Sequence, residues 1–263
     1  MNEIYYNNIF KRKSFHLFKN NKTKEYFIDT YKITSEEIQD IYNHFNSLIS
    51  IYPNIKTKIK IVPSNETNCH RGEEYCILFF SEQKDNYLQN IGYLGEKLDL
   101  YLTSKNIATL WFGIGKINDT TWDNLSYVTM MAISKTDLSY FRKDMFKSKR
   151  KSLDEIYSST NNNLKEIINI VRFAPSSCNL QPWFVKEDNN NLYVYRYYNN
   201  LRRGIMPLNK VIYQNLIDIG IFMSFLEIVL SHFHIKYQLT TFNDDISNTN
   251  EYTLLYHLSY IKE

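Results

Sequence analysis

Apolar residues recur at helical spacing in four stretches of this chain, 35–50, 88–105, 163–173 and 213–232, and each predicts a helix. Ser35 opens the first of them, with Glu36 and Glu37 facing the positive helix end, so Ser35 is the expected cap. Between the helices the period changes. Residues 56–62 alternate Lys, Thr and Ile, the pattern of a half-buried strand. Residues 75–80 form a continuous apolar run that suits a central strand, and 108–112 and 128–134 look similar. Two further strands, 183–186 and 192–196, flank Asp188-Asn189-Asn190-Asn191, a hairpin turn by composition. Strands over 237–242 and 253–260 complete an α+β pattern.

A worn repeat underlies this order. Residues 90–107 and 218–235 align without gaps at an offset of 219 − 91 = 128, pairing Ile91-Gly92 with Ile219-Gly220. Leu98, Leu102 and Ile107 then pair with Leu226, Leu230 and Ile235, all apolar. A glycine early in a strong helical pattern implies close packing on a neighbour. An offset near half the chain predicts two related halves about a pseudo-two-fold axis, a single-chain pseudo-dimer. The expected divisions are 1–145, a polar connecting segment 146–162, and 163–263.

Composition narrows the function classes. With 31 Lys and Arg against 28 Asp and Glu, the net charge of +3 is too balanced to indicate nucleic acid, despite the basic runs at 11–13 and 147–151. Cys69, Cys76 and Cys178 cannot all pair and lack metal-ligand spacing, so no metal is expected and a reduced, cytoplasmic setting fits. No run approaches ~18 uncharged apolar residues, so no membrane span is expected. The N-terminus lacks the basic-then-apolar order of a signal peptide.

The densest chemistry lies in Arg-Phe-Ala-Pro-Ser-Ser-Cys-Asn-Leu-Gln-Pro-Trp, residues 172–183. Pro175 should end the preceding helix and Pro182 should stiffen the turn. Between them Ser176, Ser177, Asn179 and Gln181 offer neutral donors and acceptors, suited to a flat ring with polar edges. Such residues also populate ordinary turns by bonding their own backbone. A second cluster, Lys11-Arg12-Lys13-Ser14-Phe15-His16, reads either as a solvated basic patch or as a phosphate grip, since Arg presents a planar fork and Lys a mobile charge.

The 172–183 string closely resembles the Ala-Pro-Ser-Ser-x-Asn-x-Gln-Pro-Trp signature of the flavin-dependent nitroreductases, and the chain is similar to a fused, two-half branch of that superfamily. The resemblance implies a nitroreductase-like fold: two pseudo-symmetric halves, each a mainly antiparallel sheet flanked by helices. It implies FMN as cofactor, NAD(P)H as hydride source and a small electron-poor acceptor. By resemblance, Arg12 and Ser14 hold the flavin phosphate and ribityl chain, and Lys13 assists. His16 falls where the family usually has a Lys or Arg near the ring. Lys149 and Arg150 resemble the basic segment that reaches the same phosphate, although Ser152 replaces a usual Pro. Thr109-Leu110-Trp111-Phe112-Gly113 resembles the strand end whose backbone, at Phe112 and Gly113, lies along the ring. Pro175, Ser176, Ser177, Asn179 and Gln181 complete the set. The reciprocal site, near Tyr52-Pro53-Asn54 and Tyr157-Ser158-Ser159, lacks the serines and the Arg, which implies one flavin per chain; a monomer acting as a pseudo-dimer is compatible with this, and further association is left open. No side chain is singled out as catalytic, because the cofactor carries the chemistry. The departures at His16 and Ser152 leave open a non-enzymatic flavin binder or a degenerate scaffold of the same fold.

Overall fold

A computed structural model of the chain describes residues 2–261 apart from Asn200, Arg202 and Ile205. The elements are α1 (Asn2–Lys11), α2 (Phe27–Thr30), α3 (Ser35–Ser47), β1 (Thr57–Pro63), β2 (Tyr75–Ser81), α4 (Tyr87–Ser104), β3 (Ile107–Phe112), β4 (Thr121–Trp122), β5 (Leu125–Lys135), α5 (Leu153–Ile156), β6 (Tyr157–Ser159), α6 (Lys165–Val171), β7 (Trp183–Asp188), β8 (Asn191–Tyr197), α7 (Leu208–His232), β9 (Lys236–Thr241) and β10 (Tyr252–Ile261). Two compact units result. The N-terminal unit comprises Asn7–Tyr87 and Lys97–Met145; the C-terminal unit comprises Met1–Tyr6, Leu88–Glu96 and Phe146–Glu263.

In the N-terminal unit the sheet runs β1-β2-β5-β3, antiparallel throughout, and β4 folds back on β5. The apolar runs of β2 and β5 occupy its middle, where both faces are covered, and accordingly almost every residue in them is buried. One layer of the core gathers Phe15, Phe18, Phe27, Leu78, Phe80 and Leu110. The chain after α1 joins this sheet: Ser14 bridges Thr109 in parallel, and Phe15 N–H donates to the Thr109 carbonyl at 2.9 Å.

In the C-terminal unit the order is β6-β7-β8-β10-β9, with β6 parallel to β7 and the remaining pairs antiparallel. The β7–β8 hairpin turns at Asn189, which takes φ 52, a left-handed conformation that Asn tolerates better than most residues. Buried Glu187 anchors the edge strand by accepting from Ser159 Oγ at 2.6 Å, from the Tyr260 hydroxyl at 2.5 Å and from the Tyr157 hydroxyl. The Tyr157–Ser159 stretch is thus strand β6, tied to a carboxylate of its own unit.

The differences from the sequence expectation have local causes. Thr34, not Ser35, caps α3: its Oγ1 accepts from Glu37 N–H at 3.1 Å while Glu37 Oε2 accepts from Thr34 N–H at 3.0 Å, a reciprocal capping box. Helix α7 starts at Leu208 rather than 213, because Pro207 sets its entry and the exposed first turn, Leu208-Asn209-Lys210, carries no apolar periodicity. α7 is long and apolar enough to cross a membrane by length and composition, contrary to expectation, but 83% of its apolar window is buried within the protein. Burial in a core is the fate of such a helix here, since Gln214, Asn215 and Asp218 also lie on its buried surface.

Candidate functional site

Pro175 follows the end of α6 by a short turn and is itself buried. The chain then takes an uncommon path. Cys178, Asn179 and Gln181, none of them glycine, adopt φ of 51, 56 and 50. Left-handed backbone at non-glycine residues costs of order 1–2 kcal/mol each, so the surroundings must impose it.

Two sets of contacts do so. Beneath the loop, Ser177 N–H donates to both oxygens of Asp218, at 3.0 and 3.1 Å. Ser177 Oγ lies 3.2 Å from Gln214 Oε1 and 3.2 Å from Asp218 Oδ1, and its single proton serves one of them at a time. Asp218 is 1% exposed. Burial pushes its carboxyl up to about 7, against the opposing pull of the Ser177 hydrogen bonds. Within the loop, Gln181 N–H donates to Ser176 Oγ at 2.9 Å.

Across the loop runs a strap made of residues 149–151. Arg150 Nη1 donates to Asn179 Oδ1 at 2.9 Å and Nη2 to the Phe173 carbonyl at 3.1 Å. Asn179 Nδ2 donates to the Lys149 carbonyl at 3.2 Å. Lys151 N–H donates to Gln181 Oε1 at 2.8 Å, and its ammonium to the Gln181 carbonyl at 2.9 Å. The structure therefore brings Lys149 and Arg150 together with Pro175, Ser176, Ser177, Asn179 and Gln181, all within the C-terminal unit. The polar atoms of Asn179 and Gln181 are spent in good part on the strap, and the Arg150 fork is aimed at the loop.

The N-terminal unit holds the other predicted residues. Arg12, 3% exposed, points inward: Nε donates to Asp99 Oδ2 at 2.8 Å and Nη1 to Ser14 Oγ at 3.2 Å. Thr109 Oγ1 donates to the other Asp99 oxygen at 2.6 Å. A buried carboxylate on α4 thus ties the basic motif to the start of β3. Lys13 is half-buried over the Phe15 ring, and its ammonium donates to the Tyr140 carbonyl at 3.2 Å. Burial, and then the neighbouring Arg142 guanidinium, holds the Lys13 ammonium below the ordinary lysine value. Arg142 is lowered in turn, by burial and then by Arg12. Arg142 thus stands close enough to both Lys13 and Arg12 for like-charge repulsion. His16, near Lys13 in sequence, is exposed. At the end of β3, Phe112 is buried and Gly113 exposed, and the Arg71 guanidinium lies 5.8 Å from the centre of the Phe112 ring.

Sequence reasoning missed Asp99, Arg142, Gln214 and Asp218. Two of these carried a usable mark: Asp99 and Asp218 each interrupt an apolar stretch in the middle of a strong helix. An acid so placed is almost always paired or hydrogen-bonded. Arg142 had no such mark in a segment already rich in charge.

Comparison with known proteins bears on this arrangement. The chain is similar to a putative nitroreductase from Thermotoga maritima, at 18% identity and a TM-score of 0.59, covering 97% of this chain and 93% of that one. It is similar, over less of its length, to a nitroreductase family protein from Clostridium novyi NT (17% identity, TM-score 0.37, 51% of this chain and 86% of that one). A third structure is a putative NADH oxidase from Clostridium acetobutylicum (11% identity, TM-score 0.38, 58% of this chain and 96% of that one). No curated protein matches the chain. The model of the family described as "Putative TM nitroreductase" matches residues 5–236, and the full-length structural likeness agrees with it, so the chain is a member of that family with the nitroreductase fold.

Proposed function

We propose that this protein is an FMN-dependent NAD(P)H oxidoreductase that reduces small electron-poor acceptors such as nitroaromatics and quinones by a ping-pong cycle. The observation that carries the proposal is the Pro175–Gln181 loop, whose left-handed backbone is imposed by Asp218 from below and by the 149–151 strap from across. Strained backbone that the surroundings over-determine belongs to sites that must be pre-organised. When bound, FMN supplies the hydride chemistry, and the protein supplies placement, electrostatics and exclusion of water.

The donor set fits the cofactor. Burial and then like charge lower Lys13 and Arg142, and a phosphate dianion would offset both. In the N-terminal unit, Lys13 and Ser14 would hold the phosphate and ribityl chain with Arg12 aligning them, and His16 and the backbone at Phe112 and Gly113 would be the unit's contacts to the ring. In the C-terminal unit, Pro175, Ser176, Ser177, Asn179 and Gln181 would contribute ring contacts, and Lys149 and Arg150 are that unit's candidate phosphate contacts. A cytoplasmic setting, one flavin per chain and a monomer acting as a pseudo-dimer belong to the same reading.

A second reading has its own support. The Arg12 fork is turned onto Asp99 and the Arg150 fork onto Asn179 and Phe173, as in a fold that keeps its cations for structure. That reading is a flavin binder without turnover, or a scaffold that no longer takes the cofactor. The visible spectrum of the purified protein separates them. A yellow protein bleached by NADH or NADPH and recoloured by a quinone supports the enzyme. A yellow protein inert to both is a binder, and one that stays colourless with added FMN is a scaffold.

A further inference from the structure

We propose that Cys69, Glu73 and Cys76 form a three-ligand zinc site in the N-terminal unit, a feature independent of the flavin reading. Their ligand atoms, two sulfurs and a carboxylate oxygen, all lie within 4.8 Å of one another. All three residues are buried, at 1%, 3% and 0% exposure. Both cysteines belong to the aromatic-rich core cluster with Phe18, Phe27 and Leu78.

Glu73 carries the argument. Its Oε2 accepts from Arg71 N–H at 2.7 Å and the Cys69 thiol hydrogen-bonds the carboxylate, but its buried Oε1 meets no N–H or O–H donor among the described residues. A carboxylate taken out of water needs a compensating cation or a full set of donors. The nearest chemistry on offer is two thiols, and two thiolates with a carboxylate make the borderline-soft donor set that Zn²⁺ takes, whereas Ca²⁺ and Mg²⁺ require oxygen alone. Tetrahedral zinc with Zn–S near ~2.3 Å sets its sulfurs roughly 3.8 Å apart, so the observed cluster closes by small side-chain adjustments. Water completes the fourth position. Binding replaces two S–H bonds by S–Zn bonds and releases two protons to solvent, so affinity rises with pH.

The spacing Cys-x6-Cys is not that of a zinc knuckle, which is why the sequence reads as metal-free. The fold supplies what the spacing lacks. Thr67 Oγ1 accepts from Cys69 N–H at 3.1 Å and turns the chain so that Cys69 meets the start of β2, where Cys76 sits. The same loop braces its neighbours: Asn68 accepts from Lys116 N–H at 2.6 Å, and Phe18 N–H donates to the Arg71 carbonyl at 2.9 Å. A metal here would stiffen both the turn after Phe112 and the segment after His16.

The test is metal analysis of the full chain, purified without chelator under reducing conditions, followed by replacement of zinc with Co²⁺. Expected are one zinc per chain surviving dialysis and a strong thiolate-to-cobalt charge-transfer absorption from the unsubstituted protein. Cys76→Ser and Glu73→Gln should each lower zinc affinity by about tenfold or more, while Cys178→Ser retains it. The cobalt spectrum needs no variant, so a substitution that fails to fold does not spoil the test. The proposal is overturned if the reduced protein takes neither zinc nor Co²⁺ stoichiometrically, if a Cys69–Cys76 disulfide is recovered in place of metal, or if the Cys69→Ser/Cys76→Ser double variant still holds one zinc.

Discussion

Gly92 in α4 and Gly220 in α7 occupy reciprocal places in one helix crossing. A Cβ built on Gly92 would stand 1.9 Å from the Ile217 carbonyl oxygen, and one on Gly220 would stand 1.9 Å from the Gln89 carbonyl oxygen. Gln89 and Ile217 are themselves 217 − 89 = 128 residues apart, the offset that relates the two glycines. Each helix thus meets the other through the same residues, the signature of an isologous contact.

Because backbone and not a flexible side chain blocks each Cβ, neither site relaxes cheaply. Gly92→Ala and Gly220→Ala should each destabilise the protein by about 1–3 kcal/mol or more, and by similar amounts, despite alanine's better helix propensity. Thermal unfolding followed by circular dichroism checks both. A stabilising Gly220→Ala would show that the helices do not touch at this crossing.

Asp218 gives the loop a pH dependence with a definite sign. Its folded carboxyl titrates at about 7 against an ordinary value of 3.8, so the folded state binds its proton more tightly. That contribution to stability is complete below about pH 4 and is lost as pH rises to about 7, amounting at most to ~4 kcal/mol. Asp218→Asn keeps the acceptor for Ser177 and removes the titration. Urea unfolding midpoints from pH 4 to 7.5 should therefore fall more steeply in the unsubstituted protein than in the variant. Parallel profiles would mean that the group titrates normally.

The Arg12–Asp99 pair has side chains only 4% and 0% exposed. Removing one partner strands a buried charge, so Arg12→Ala should cost roughly 3–5 kcal/mol in stability. Arg12→Met with Asp99→Leu should recover much of that loss. Guanidinium titrations with and without FMN separate the roles: a loss of equal size in both conditions assigns Arg12 to structure, and a larger loss with FMN assigns it to the cofactor as well.

Most elements were legible because their periods are strong and their ends are punctuated. The β7–β8 hairpin follows from Asp188-Asn189-Asn190-Asn191, and the loop at 175–181 from its two prolines. Helix α1, the two-residue β4 and β6 were not legible: α1 is polar, β4 is too short for any period to show although it pairs with the neighbouring β5, and β6 owes its form to β7, 28 residues away. The candidate residues of the loop and strap were legible by motif, but their hydrogen-bond partners were not. Asp218 lies 41 residues from Ser177 and Asp99 lies 87 from Arg12, separations that only the fold resolves.

The strap itself is measurable. If Arg150 and Asn179 hold each other, their effects on stability are not independent. Arg150→Ala removes donors to both Asn179 and Phe173, whereas Asn179→Ala removes only one acceptor from that fork, so Arg150→Ala should be the more damaging. The contact is exposed, which limits the coupling between the two to about 0.5–1 kcal/mol in a double-mutant cycle. Limited proteolysis provides a second readout, because freeing the strap should open cleavage near Lys149–Lys151 before global unfolding. Additive substitutions with unchanged proteolysis would show that the loop keeps its left-handed turns without help, and that Arg150 is available to a ligand.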